Sequence, residues 1–128
     1  VTDIIMRIRH DAETEKVAYP PNKIAEALSA GVGGFYQAIP LTNALTMWVD
    51  EDGKAKNLPY NPIATGWVNG TLDTDMRVLG NVMITGGVSE DGDTLPLSET
   101  QIAGIEMLVS QNRPATQWED FLVPPKKD

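Results

Sequence analysis

Several short stretches of this chain alternate apolar and polar residues with a period of two, and that period constrains the fold more than any other feature. Successive side chains of a strand point to opposite faces, so a two-residue repeat fits a sheet and cannot line one side of a helix. Ile4, Met6 and Ile8 interleave with Ile5, Arg7 and Arg9, which predicts a strand with at least one buried face. Leu45, Met47 and Val49 interleave with Thr46, Trp48 and Asp50, and Val78, Val82 and Ile84 fall on alternate positions of 78–85. A further strand is read over 35–41.

The helical period shows twice. After Pro20-Pro21, Ile24, Ala27 and Leu28 share one face, with Asn22 placed as cap, Gly31 as stop and Gly33-Gly34 beyond. Near the end, Ser98 and Gln101 have the spacing of a capping box, Leu97 can staple onto Ile102, and Ile102, Ile105, Leu108 and Val109 recur at helical spacing. Asn112, Arg113 and Pro114 supply the stop. These elements predict an α+β fold: a mostly antiparallel sheet of about four to five strands, with the two main helices, near 22–31 and 98–112, packed on one face. Residues 1–123 form a single domain, Trp118, Phe121 and Leu122 being too apolar for a free tail, and 124–128 reads as a disordered tail.

The connections are read from turn chemistry. Asp11, Glu13 and Glu15 make a polar connector, and Asn69-Gly70-Thr71 a turn. Asp50-Glu51-Asp52-Gly53-Lys54 predicts a hairpin in which Gly53 supplies a positive φ and residues 55–58 pair back. Pro59 and Pro62 interrupt regular pairing, and Asn61 between them caps a short helical turn through Ile63, Ala64 and Trp67 that ends at Gly70.

Composition excludes much chemistry. The 128 residues contain no cysteine, hence no disulfide framework, thiolate nucleophile or zinc-thiolate site. Ten Lys and Arg against 18 Asp and Glu give a formal charge of −8, which repels nucleic-acid phosphates and anionic lipid. No direct nucleic-acid partner and no membrane partner is expected, and with no apolar stretch long enough to span a bilayer and no signal-peptide pattern the reading is cytoplasmic. Gly31-Val32-Gly33-Gly34 precedes a strand and lacks the Lys-Ser/Thr ending of a phosphate loop, and Gly87-Val88-Ser89-Glu90-Asp91-Gly92 misses the nucleophile-elbow pattern. The loops at Asp50 and Asp73 lack the ligand spacing of a calcium site. His10 is followed by Asp11, Glu13 and Glu15 and reads as a surface residue. No catalytic residue, metal or cofactor is assigned, and the chain is not read as an enzyme.

An ordered set of segments carries a family resemblance: Gly33-Gly34-Phe35-Tyr36-Gln37-Ala38-Ile39-Pro40, then Asp52-Gly53-Lys54, then Leu58-Pro59-Tyr60-Asn61-Pro62, then Gly80-Asn81-Val82. Over roughly residues 22–110 the chain resembles a domain-of-unknown-function family of small proteins from bacteriophages, actinobacterial phages especially, and bacterial mobile elements. The resemblance implies a phage accessory protein of mixed α and β structure in the host bacterial cytoplasm, with Gly33, Gly34, Gly53, Pro59, Asn61, Pro62 and Gly80 as motif turns. It carries over no catalytic residue.

The aromatic residues supply the candidate site. Phe35 and Tyr36 are adjacent on a strand and point to opposite faces, so burying one exposes the other. Trp48 lies opposite Leu45, Met47 and Val49, and prolines hold Tyr60 out of regular pairing. Tyr36, Trp48 and Tyr60, with Asp50, Glu51 and Asp52, are therefore the expected contact surface for a host protein, large rings giving contact area at low entropy cost. Self-association is left open. The alternative is a small-molecule binder that sequesters a nucleotide signal, which requires at least two of Arg7, Arg9, Lys54, Lys56 and Arg77 to converge in a pocket.

Overall fold

A computed structural model describes residues 3–20 and 22–111. The chain runs β1 (Asp3–Ile8), β2 (Thr14–Tyr19), α1 (Ile24–Val32), β3 (Tyr36–Thr42), β4 (Leu45–Asp50), α2 (Pro62–Leu72), β5 (Val82–Gly86) and α3 (Glu99–Gln111). The strands form one antiparallel sheet in the order β2-β1-β5-β4-β3. Two hairpins, β1-β2 and β3-β4, are thus joined by β5 inserted between them, and all five residues of β5 are buried. The α+β class and the antiparallel sheet follow the sequence expectation.

The helices occupy both faces, which corrects the expectation that they pack on one. Met6, Ile8, Ile39, Leu41, Leu45, Met47 and Ile84 meet Ile63, Trp67 and Val68 of α2 and Ile102, Ile105 and Leu108 of α3. Ile5, Tyr19 and Met83 meet Leu28 and Val32 of α1 on the other side, with Val17, Tyr36 and Trp48 packed against them. The cause is visible in β1, where Ile5 is as apolar as Ile4, Met6 and Ile8 and needs its own cover. Gly31 lies inside α1 and not at its end, against the Met83 side chain, where a Cβ would collide with the thioether. The stop is Gly33, at φ 91°, whose N–H donates to the Ser29 carbonyl (2.9 Å). Lys23, not Asn22, occupies the N-cap position and makes no side-chain cap bond.

Three connections also differ from expectation. Residues 14–19, read as part of a polar connector, form edge strand β2, anchored by Arg7 Nε donating to Glu15 (3.0 Å). Gly53 makes no hairpin. β4 already pairs with β3 and β5, so residues 55–58 have no free edge to join. Instead 51–57 form consecutive turns closed by Lys56 N–H to Asp52 O (2.9 Å) and Leu58 N–H to Gly53 O (3.0 Å), with the positive φ at Asn57. The expected turn over 69–71 continues α2 to Leu72, which is closed by Asp73 at φ 54°. The strand read over 78–85 begins only at Val82, because Gly80 at φ 82° breaks the extended run.

The capping box is as expected: Gln101 N–H donates to Ser98 Oγ (3.1 Å) and Ser98 N–H to Gln101 Oε1 (2.9 Å). Gln101 also donates to the Ala44 carbonyl (3.1 Å), tying the start of α3 to the β3-β4 turn. The expected stop at 112–114, the rings Trp118, Phe121 and Leu122, and the tail at 124–128 lie outside the described residues.

Candidate functional site

The motif turns assemble at one end of the sheet, where β4 finishes and β3 begins. Asn61 is fully buried and spends its whole side chain: Oδ1 accepts from Ala64 N–H (3.0 Å) as the N-cap of α2, and Nδ2 donates to the carbonyls of Ile8 (3.1 Å) and Gly80 (2.9 Å). Pro62 follows at the first helical turn, where no backbone donor is required. Gly80 donates to the Pro59 carbonyl, and the Leu58 side chain occupies the space its Cβ would take. These residues are scaffold for the loops and present no chemistry of their own.

The expected contact residues divide into two groups. Tyr36 and Trp48 are half-buried on the α1 face, packed edge to face with centroids 5.4 Å apart, and Trp48 Nε1 donates to Thr85 Oγ1 (2.9 Å). Asp50 is buried and committed internally. Its Oδ2 accepts from Lys56 Nζ (2.8 Å) and its Oδ1 from Asp52 N–H (2.8 Å), while Lys56 also reaches the Gly33 carbonyl (3.3 Å). Burial raises the Asp50 carboxyl, but the Lys56 ammonium and the Asp52 N–H together outweigh it, leaving the group below the ordinary carboxylate value. This latch holds the 51–57 turns to the end of α1. Glu51, Asp52 and Tyr60 are exposed, and the Arg77 guanidinium stacks 4.7 Å above the Tyr60 ring.

A cleft of about 180 Å³ lies beside this stack, lined by Gln37, Ile39, Val49, Glu51, Lys54, Met76 and Arg77 among others. Ile39 and Val49 pack with the α2 and α3 core, so the sheet separates this cleft from Tyr36 and Trp48. Asn69 shapes its rim by accepting from Met76 N–H (2.8 Å) and Thr74 Oγ1 (2.9 Å) and donating to the Met76 carbonyl (2.9 Å).

Sequence reasoning passed over the most exposed large apolar side chain of the described residues, Phe35 at 76%. Its carbonyl accepts from Glu51 N–H (2.9 Å), which places it at the same end of the sheet as Tyr60 and Met76, themselves 43% and 40% exposed. The signal was the Phe35-Tyr36 pair, of which one ring had to face out. A larger cleft, about 490 Å³, lies elsewhere, between β2 and α1. Among the described residues no three His, Asp or Glu side chains gather as a metal site requires, and no helix is long and apolar enough to cross a membrane.

A five-stranded antiparallel sheet with helices on both faces and an aromatic, mixed-charge end defines a class of α+β domain. The chain belongs to the family described as domain of unknown function DUF3846, whose family model matches residues 4–110 and therefore takes in β1 as well as the motif turns. No curated protein and no solved structure matches the chain.

Proposed function

We propose that the chain is an accessory protein of bacteriophage or mobile-element origin that binds and modulates a bacterial host protein, through the end of the sheet that carries Phe35, Tyr60 and Arg77. The observation that carries this reading is Phe35, a phenyl ring left 76% in water at the same end of the sheet as the exposed Tyr60-Arg77 stack. Interface hot spots favour Tyr and Arg within an apolar surround, to which Met76 contributes in the cleft it shares with Arg77. Glu51 and Asp52 add an acidic rim that favours a basic partner surface. Of the expected contact set, Tyr60, Glu51 and Asp52 remain in this surface; Tyr36 and Trp48 lie half-buried on the α1 face, and Asp50 is buried under the 51–57 turns.

The test is capture from a bacterial host with the full chain. A folded Phe35→Ser/Tyr60→Ala variant is expected to lose the captured protein. Val88→Ser, which changes a residue 61% exposed at the opposite end of β5, is expected to keep it. Equal capture by both variants contradicts the reading.

One observation favours a second reading. Lys54 and Arg77, neither in an ion pair among the described residues, line the same cleft, as a small-anion site requires. Its volume of about 180 Å³ lies below the roughly 300–1,000 Å³ usual for larger ligands, and Glu51 offsets one of the two cations. A small monoanion fits better than a nucleotide. Chemical-shift changes at Gln37 and Val49 on titrating benzoate, lost in folded Lys54→Ala/Arg77→Ala, would support it, and equal changes in the variant would contradict it.

A further inference from the structure

The outer edge of β2 is a run of backbone that no strand covers among the described residues. Which of its groups face outward follows from three bonds. Arg9 N–H donates to the Glu13 carbonyl (2.9 Å) where β1 turns into β2, so the ladder between them runs through Arg7, Ile5 and their opposite residues Glu15 and Val17. The carbonyls of Ile4 and Ile8 accept on the other side of β1, from Leu97 N–H (2.9 Å) and Asn61 Nδ2 (3.1 Å). Their opposite residues Ala18 and Thr14, and Lys16 between them, therefore turn N–H and C=O away from the sheet.

Beside this edge lies the cleft of about 490 Å³, which falls within the volume range of ligand sites. Val17 and Tyr19 form its β2 side, and Ala27, Ala30 and Gly31 form a wall of small residues on α1. Arg7 and Glu15 are paired with one another, as are Lys23 and Glu26, so the charges at its ends are already matched. Lys16 is exposed and has no ion pair among the described residues.

We propose that β2 accepts an extended segment of another protein as a sixth strand, with small apolar side chains directed to the α1 cleft and an acidic side chain opposite Lys16. Strand addition takes its affinity from the main chain and its specificity from alternate side chains, and both parts are present here. Charge selects the occupant. In a symmetric antiparallel pairing with a second copy, the outward residues can meet only one another, so Lys16 would face Thr14, Lys16 or Ala18 and never an acid. The formal charge of −8 opposes self-association further. This surface is separate from the Phe35 end, so either assignment can fail without the other.

The test is amide hydrogen exchange on the full chain, with the peptide acetyl-Thr-Val-Glu-Val-Thr-amide as probe. In the free protein the Lys16 and Ala18 amides should exchange quickly while the Val17 amide is protected. At about 1 mM peptide, a concentration suited to a weak single-strand contact, Lys16 and Ala18 should slow by about tenfold. Ala18→Pro removes only an outward donor, which an edge strand tolerates, and should abolish the effect while the fold persists. Lys16→Glu should weaken this peptide several-fold and prefer the version with Lys in place of Glu, which keeps the test open if the proline variant fails to fold. Protection of Lys16 and Ala18 already in the free chain would mean that a second copy or the chain itself holds the edge, and would overturn the proposal. No protection at about 1 mM, or equal binding by folded Ala18→Pro, would overturn it as well.

Discussion

Asn61 shows how much one side chain can hold. It is fully buried, caps α2 through its oxygen, and bridges Ile8 and Gly80 through its nitrogen. Asn61→Asp keeps the acceptor but replaces both donors with an acceptor facing two carbonyls. A buried group left in that state costs about 3 kcal/mol or more, so chemical denaturation should show a large drop in midpoint with little change in slope. Asp50 makes a different prediction, because its value depends on pH. Its folded carboxyl lies below the ordinary value, so the latch stabilises fully above the unfolded pKa near 3.9 and is lost as pH falls through the lower folded value. Lys56 is 39% exposed and water weakens the pair, which makes Asp50→Asn worth about 1 kcal/mol at pH 7. The difference between variant and parent should shrink on acidification below about pH 4, and a difference constant from pH 7 to pH 2 would contradict the assignment.

At the level of elements, α3 is the best test of what local sequence can specify. Its capping box was legible because both partners lie within one turn, and the bonds form as the spacing requires. Ser98→Ala should cost about 1 kcal/mol in a denaturation midpoint. Gln101→Ala should cost more, since Gln101 also holds the Ala44 carbonyl of the β3-β4 turn. β2 was not legible for the opposite reason. An edge strand needs few apolar residues, and of Thr14–Tyr19 only Tyr19 is buried, so Glu13 and Glu15 gave the stretch the look of a loop. The Gly53 hairpin failed on non-local grounds. Asp-Gly-Lys is sound turn chemistry and the chain does turn there, but the far edge of β4 was already taken by β5, whose Met83 lies 35 residues beyond its partner Trp48, out of the reach of local patterning.

For the whole molecule, class and sheet could be read from period, but the placing of helices on two faces could not, because it depends on which side of the sheet each crossover takes. Ile5 between Ile4 and Met6 was the one hint that both faces need cover. The candidate site was legible in part for the same reason. Alternation could not say which of Phe35 and Tyr36 α1 would shelter; the α1 face took Tyr36 with Trp48, leaving Phe35, just before β3, in water. The proposed contact is between this outward ring and a host protein. The most direct measurement is photo-cross-linking in the bacterial host from a benzoylphenylalanine placed at Phe35, followed by mass spectrometry of the adducts. One dominant host-protein adduct is expected, which Tyr60→Ala removes and which the same photoprobe at Val88 does not form. Absence of an adduct at Phe35, or the same adducts from both positions, would contradict it.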